Sequence, residues 1–142
     1  MTTLSHQTLM APSRSARVAL VTFSGKPALT ADDGELREAL ASRGAAVAAR
    51  PWDCDADWAS YDSIVLRSCW NFHHRPREFV QWVNDIGERC PGKLRNAPAL
   101  ARWSVDKRYL EDLAVRGVSI VPTTWVPARP VDPEPAMSAI VH

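Results

Sequence analysis

The alternation of short, β-branched apolar runs with helical segments constrains this chain more than any other feature. Runs typical of buried strands lie at 17–23 (RVALVTF), 45–49 and 63–67 (SIVLR). Apolar residues at helical spacing lie between and after them. Strands that alternate with helices in this way predict an α/β fold, a mostly parallel sheet with helices on both faces. Ligands bind beyond the carboxyl ends of the strands in such sheets, here at 24–26 and 68–71.

Helix signals accompany these runs. Asp32 and Asp33 are the predicted N-caps of the first helix, and Ser104 is the predicted cap of the last. Pro76 suits the first turn of a middle helix. The other predicted segments are a loop over 69–75, a weak fourth strand over 93–96, a short helical turn over 98–103 and a fifth strand over 118–121.

Composition divides the chain into four parts. Residues 1–16 lack periodicity and are predicted to be a disordered extension, residues 17–103 form the predicted α/β domain, and residues 104–126 begin a second domain. Residues 127–142 are Pro-rich, which is a linker composition. Because a linker normally leads to another domain, we expect the chain to be a fragment of a longer protein.

Charge and cysteine content exclude several classes of function. The formal net charge is +1, and lysine and arginine are spread along the chain, so nucleic acid is not an expected partner. The three cysteines are odd in number and form no C-x-x-C pair, which argues against a disulfide framework or structural zinc. Free thiols fit a reducing compartment, and no apolar run approaches a membrane span. We therefore expect a cytoplasmic protein with no membrane partner.

The usual catalytic signatures are mostly missing. Gly25 stands alone after the first strand, which is too little for a phosphate-binding loop. We expect His73 and His74 to be surface residues rather than metal ligands, because adjacent side chains on a loop diverge and no carboxylate follows at helical spacing. Cys69 is the cysteine best placed to act as a nucleophile, but a small buried side chain is the expected role.

A phosphorylated receiver domain shares the predicted fold class. Its site needs carboxylates at the ends of the first and third strands. The residues at those ends, 22–24 and 67–69, include no carboxylate. We therefore set this class aside.

The segment that follows the third strand offers candidate ligand contacts. Arg67, Trp70 and Asn71 place a guanidinium, a large aromatic ring and an amide at a strand's carboxyl end. Arg67 and Trp70 could hold a small carboxylated ligand by a bidentate pair and by stacking. Alternatively, Trp70 belongs to the core and Arg67 pairs with an acid on a neighbouring helix. The residues alone leave both interpretations open.

A second pattern is more specific. Residues 106–123 follow D-K-x-x-L-x-x-L-x-x-x-G-V-x-x-V-P-T. This pattern resembles the junction at which ATP-grasp ligases pass from their N-terminal domain into their nucleotide-binding domain. The segment 67–72 (RSCWNF) resembles the R-S-x-W-D-Y element of one branch, and W-x-x-x-x-D-W-x-x-Y-D at 52–62 also fits it. That branch is similar to glutathione synthetase and RimK-type ligases and includes a cyclo-ligase that forms D-cycloserine from O-ureido-D-serine.

The resemblance implies a Rossmann-like domain that precedes an ATP-grasp domain. Such enzymes use ATP and Mg²⁺ to activate a carboxylate as an acylphosphate, which a nucleophile such as an amine then attacks. It implies that Lys107 contacts an ATP phosphate and that Arg67, Trp70 and Asn71 help to enclose a small carboxylated substrate. Where the family has W-D-Y, this chain has Trp70-Asn71-Phe72, which leaves the identity of the substrate open.

The rest of an ATP-grasp site has no counterpart in this sequence. The second lysine, the adenine pocket and the Glu/Asn set that holds magnesium would all follow residue 142. We therefore predict an N-terminal fragment with no catalytic residue and no metal site of its own, inactive alone, whose missing partner is the catalytic domain. ATP and Mg²⁺ are the cofactors of the full-length relative, and we expect neither to bind this chain tightly. The alternatives are a stand-alone module that binds a small acid or a protein, or a subunit that complements a separately encoded catalytic domain.

Overall fold

A computed structural model describes residues 14–126 of the protein, which divide into two compact units at residues 105 and 106. The first unit holds a three-stranded parallel sheet of β1 (Arg17–Thr22), β2 (Ala46–Pro51) and β3 (Ser63–Leu66). The strand order is β2-β1-β3. The extension predicted at 1–16, except for its last three residues, and the Pro-rich segment 127–142 lie outside the described residues.

The sheet is built around β1. This strand pairs with β2 from Arg17↔Ala46 to Thr22↔Pro51, and with β3 from Val18↔Ser63 to Val21↔Leu66. Because β1 is central, residues 18–22 are all buried, which is typical of a parallel strand covered on both faces. The three strands lie where the apolar runs predicted them.

Three helices accompany the sheet: α1 (Ala31–Ala41), α2 (Pro76–Arg89) and α3 (Pro98–Val105). The connection through α1 runs from β1 to β2, whereas the connection through α2 leads away from β3 on the other side of the sheet. Since such crossovers are right-handed, opposite directions place α1 and α2 on opposite faces. The predicted α/β class is therefore confirmed. Within the described range, no helix is long and apolar enough to cross a membrane.

Aromatic side chains form one layer of the core on the α2 face. The ring centroids of Trp52 and Phe79 lie 5.2 Å apart in an edge-to-face arrangement, and those of Trp58 and Trp82 lie 5.3 Å apart. Edge-to-face pairs of this kind add about 0.5–1.5 kcal/mol each beyond the area they bury. This layer packs against the sheet residues Ala19, Val21 and Ile64. It fixes the start of α2, and with it the segment that joins β3 to α2.

Two predicted helix caps are wrong. Thr30 caps α1, because its Oγ1 accepts a hydrogen bond from the Asp33 backbone N–H at 3.1 Å. Asp33 instead lies in the first helical turn and points its carboxylate inward. Ser104 belongs to α3 and donates to the Ala101 carbonyl at 3.0 Å. The last helix, α4 (Tyr109–Val115), follows a turn in which the Asp106 carboxylate accepts from the Arg108 N–H at 3.0 Å.

The two weaker strand predictions also need correction. At 93–96 the structure has a single parallel bridge between Leu94 and Ile64. The pairing stops there because the Asn96 side chain, rather than the backbone, accepts the hydrogen bond from the Leu66 N–H at 3.0 Å. At 118–121 there is no strand, since the described residues of the second unit contain no other strand with which it could pair.

Two connecting segments are more regular than the sequence patterns indicated. The predicted loop 69–75 contains a 3₁₀ helix at Trp70–His74. The predicted turn 98–103 is the full helix α3.

Candidate functional site at the carboxyl ends of the strands

The carboxyl ends of the three parallel strands meet at one edge of the sheet. The turn 23–27 follows β1, Trp52 and Asp53 follow β2, and the segment 67–74 follows β3. The three predicted substrate contacts, Arg67, Trp70 and Asn71, all belong to this last segment. The structure nevertheless gives them different environments.

Arg67 is anchored by a buried carboxylate from α1. Its Nε lies 2.6 Å from Oδ1 of Asp33, whose side chain is 2% exposed, and Ser68 donates its hydroxyl to Oδ2 of Asp33 at 2.5 Å. Burial alone would raise the pKa of Asp33, but the hydrogen bonds from Ser68 and Arg67 and the positive charge of Arg67 outweigh it. The pKa of Asp33 is therefore lowered, and the carboxylate stays charged at neutral pH.

The pairing of Arg67 leaves part of its guanidinium accessible. Asp33 contacts the guanidinium at Nε, and 39% of the Arg67 side chain remains exposed. A guanidinium has five N–H donors, so the terminal nitrogens can bind a second acceptor. The alternative interpretation, that Arg67 pairs with an acid on a neighbouring helix, is what the structure shows. This pairing is compatible with ligand binding through the terminal nitrogens.

A second buried carboxylate joins all three strand ends. Asp53 accepts hydrogen bonds from the N–H and the hydroxyl of Ser24, both at 2.7 Å, from Nδ2 of Asn71 at 2.9 Å and from a terminal nitrogen of Arg75 at 2.5 Å. Its side chain is 2% exposed. Burial raises the pKa of Asp53, but the hydrogen bonds from Ser24 and Asn71 outweigh this effect, so the pKa is lowered.

Asn71 is held at both ends of its amide. Besides donating to Asp53, it accepts from the indole Nε1 of Trp52 at 2.7 Å. The Arg75 guanidinium lies over the same Trp52 ring, 4.9 Å from its centroid. We call Ser24, Trp52, Asp53, Asn71 and Arg75 the Asp53 cluster. Asn71 therefore has an internal role in this cluster, and its contact with substrate stays a prediction.

Trp70 has a different environment. Its side chain is 51% exposed, so the alternative interpretation that placed it in the core is wrong. The Lys26 ammonium lies over its ring, 5.0 Å from the centroid, and the Phe23 ring lies at 6.5 Å. We call Lys26, Arg67 and Trp70 the open surface.

The candidate nucleophile, Cys69, and the two histidines that were considered as metal ligands do not form a catalytic or metal site within the described residues. Cys69 is 6% exposed, and burial together with the nearby carboxylates Asp53 and Asp33 raises its pKa to about 12, so it stays a protonated thiol. His73 and His74 are exposed as predicted. Their rings do not diverge, because the segment winds into a 3₁₀ helix and leaves the ring centroids 3.9 Å apart. In residues 14–126 no three His, Cys, Asp or Glu side chains come together as metal ligands.

Sequence reasoning missed the two carboxylates that organise this edge. The strand-end residues 22–24 and 67–69 indeed contain no acid, but Asp33 and Asp53 reach the edge from other elements. Asp53 had a usable signal, because it follows β2 by two residues at a strand's carboxyl end. Asp33 was hidden, because an acid in the first turn of a helix is typical of capping.

Lys107 lies in the second unit. Its ammonium is 5.5 Å from the centroid of the Tyr109 ring, and the residue is exposed. Its contact with ATP stays a prediction.

The parallel sheet with helices on both faces defines a Rossmann-like α/β domain, a class of fold in which ligands commonly bind at the carboxyl ends of the strands. Residues 18–96, more than half of the chain, match the family described as the N-terminal domain of the D-cycloserine synthetase DcsG. The chain belongs to this family.

A curated protein sequence and a solved structure, both named DcsG, match the chain. The chain is 34% identical over 110 residues to the cycloserine biosynthesis protein DcsG of Streptomyces lavendulae. The crystal structure of the D-cycloserine synthetase DcsG superposes with a TM-score of 0.68 at 33% identity. Each match covers 77% of this chain and 36% of the relative, so the chain spans about a third of the proteins it resembles.

Proposed function

We propose that this chain is the substrate-binding N-terminal part of an ATP-grasp ligase that joins carbon to nitrogen. The observation that carries the proposal is the family match over 18–96, because this range contains all three strand ends and both organising carboxylates. Both matches bear the name DcsG and are described as a cycloserine biosynthesis protein and a D-cycloserine synthetase. The junction pattern at 106–123, which resembles that of ATP-grasp ligases, supports the same assignment.

In this proposal the reaction follows the acylphosphate route. A substrate carboxylate oxygen attacks the γ-phosphorus of ATP, which releases ADP and leaves an acylphosphate. A substrate nitrogen then attacks the acyl carbon, and inorganic phosphate departs with the bonding pair and takes up the proton that the nitrogen loses. Arg67 holds a carboxylate of the substrate by a charge-assisted pair, and Trp70 packs against the flat part of the substrate. Asn71 orients the segment after β3, and Lys107 neutralises an ATP phosphate.

The described residues do not fit magnesium. Mg²⁺ takes six oxygen ligands, of which one or two are usually protein carboxylates and the others are water molecules or substrate phosphates. Such a carboxylate must have an oxygen free to bind the metal. The buried carboxylates Asp33 and Asp53 are instead saturated by hydrogen-bond donors. We therefore assign ATP and metal binding to the longer ligase and expect this chain to be inactive alone.

A domain exchange tests the proposal. Residues 17–126 of this chain replace the matching segment of the Streptomyces lavendulae protein, and ADP release is measured with O-ureido-D-serine and Mg-ATP. We expect turnover that requires both substrates, at a rate within about tenfold of the parent enzyme. A tenfold loss corresponds to about 1.4 kcal/mol in the activation free energy, which allows for a small misfit of the new segment. A chimera that folds and binds Mg-ATP but releases no ADP with this substrate would contradict the proposal.

A further inference from the structure

The turn after β1 holds Lys26 in a fixed position. The Lys26 N–H donates to the Phe23 carbonyl at 3.0 Å, and the buried Thr22 donates its hydroxyl to the Pro27 carbonyl at 3.1 Å. Ser24, in the same turn, is fixed by two hydrogen bonds to Asp53. The backbone under Lys26 is therefore anchored on both sides. Only its side chain needs to move when a ligand binds.

The electrostatic balance at this edge favours an anion. The two acids are buried and each has a cation, Arg67 for Asp33 and Arg75 for Asp53. Lys26 adds a further positive charge, and among residues 14–126 no carboxylate is recorded within ion-pair distance of its ammonium. The open surface therefore has an excess positive charge while the acids are shielded from solvent.

Lys26 rests over the exposed ring of Trp70, 5.0 Å from its centroid. At an exposed site such a cation–π contact is worth only about 0.5–1 kcal/mol, so the ammonium is easily transferred to a better acceptor. A carboxylate is a better acceptor for an ammonium than an aromatic ring is. Moving Lys26 to a ligand carboxylate would also uncover the ring face for stacking.

We propose that Lys26 is a ligand-binding residue of this domain, which together with Arg67 and Trp70 binds a small anion that carries a flat polar group. Arg67 supplies a planar fork fixed by Asp33, Lys26 supplies a mobile point charge, and Trp70 supplies the platform. Only the identity of the ligand rests on the proposed function, which makes the anion a carboxylate. The binding role of Lys26 rests on the geometry of the open surface.

The test uses the full 142-residue chain and the indole N–H signal of Trp70 in NMR spectra, assigned by Trp70→Phe. O-ureido-D-serine is titrated into the wild type, Lys26→Met and Lys93→Met. Lys93 is the matched control, since its carbonyl accepts from the Ile64 N–H beside the start of β3, at the opposite edge of the sheet, and its ammonium donates to the Ala59 carbonyl. We expect Lys26→Met to raise the dissociation constant about 5- to 30-fold, as for a lost charge-assisted contact. Lys93→Met should change it less than about twofold.

Titrations with inorganic phosphate and Mg-ATP separate the two proposals. If O-ureido-D-serine binds wild type and Lys26→Met equally, the role of Lys26 is refuted and the proposed function stands. If O-ureido-D-serine does not bind but phosphate or Mg-ATP shifts the Trp70 signal and Lys26→Met abolishes the shift, the anion site is supported and the proposed substrate is wrong. If no probe shifts the signal, the anion site itself is refuted.

Discussion

The Asp53 cluster and the open surface lie at the same edge of the sheet and are built from the same kinds of residue, yet their polar groups are used differently. In the cluster, the Asp53 carboxylate accepts four hydrogen bonds and the Asn71 amide is held at both ends. On the open surface, Trp70 is half-exposed and Arg67 is bound through one nitrogen. Saturated polar groups stabilise a fold, whereas partly bound ones are available to a ligand.

This difference divides the three residues that sequence alone had grouped together. Asn71 belongs to the cluster, while Arg67 and Trp70 belong to the open surface. Substitutions should largely separate the two regions. Changes in the Asp53 cluster should act on stability, and changes at Lys26 and Trp70 should act on ligand affinity. Arg67 serves both, because it also balances the buried carboxylate of Asp33.

The largest expected effect is that of Asp53→Ala. Removing this carboxylate leaves the Arg75 charge and the Asn71 amide without their buried acceptor. The Arg75 side chain is 39% exposed and also contacts Glu78, so its charge stays partly compensated. The cost lies mainly in the polar groups of Asn71 and Ser24 that lose their acceptor, and we expect a loss of about 2–4 kcal/mol in the free energy of unfolding. Urea denaturation measures it, with Asp55→Ala as the matched control because Asp55 is exposed two residues along the chain. A loss below about 1 kcal/mol in Asp53→Ala would show that the cluster does not stabilise the fold.

Asn71→Asp should have the next largest effect. It replaces the Nδ2 donor, 2.9 Å from Asp53, with a second carboxylate. Two carboxylates at this distance cannot both ionise easily, so the pKa of one rises above its unfolded value. We expect a loss of about 2–3 kcal/mol at pH 7 from the lost bond and the repulsion.

The pH dependence of Asn71→Asp identifies the cause. A folded-state pKa that is raised penalises the fold at high pH, and the penalty is relieved as the pH falls through that pKa. The wild type behaves oppositely at low pH, because the lowered pKa values of Asp33 and Asp53 mean that it loses stability as the pH falls below about 4. The gap between variant and wild type should therefore narrow on acidification. A gap that is constant from pH 7 to 4 would contradict carboxylate repulsion as the cause.

The fold was largely predictable because its signal is local. β-branched runs place β1 and β3 within a residue or two, and Pro76 marks the start of α2. The fourth strand was mispredicted because its end depends on one side chain, Asn96, which replaces the backbone as acceptor. The strand predicted at 118–121 was wrong because a local sequence pattern does not show whether a second strand is present to pair with it.

The site was less predictable because its organisation depends on long-range pairs. Asp33 and Arg67 are 34 residues apart, and Asp53 and Arg75 are 22 apart. Periodicity places each residue on its element but does not reveal which acid meets which base. The strand-end rule located Arg67, Trp70 and Asn71 correctly at the edge, but their burial separates them, and burial depends on tertiary packing.

The most direct test of the account is Arg67 in the domain-exchanged ligase. Arg67→Lys keeps a cation for Asp33 but loses the planar fork, and Arg67→Ala loses both. We expect Arg67→Ala to raise the KM of the carboxylated substrate about 30- to 150-fold, the equivalent of about 2–3 kcal/mol, with the KM of ATP nearly unchanged. Arg67→Lys should raise the same KM at nearly wild-type melting temperature, because a planar bidentate contact is not replaced by a point charge. If both variants instead raise the two KM values alike, in proportion to a lowered melting temperature, Arg67 is structural and the open surface is not a ligand site.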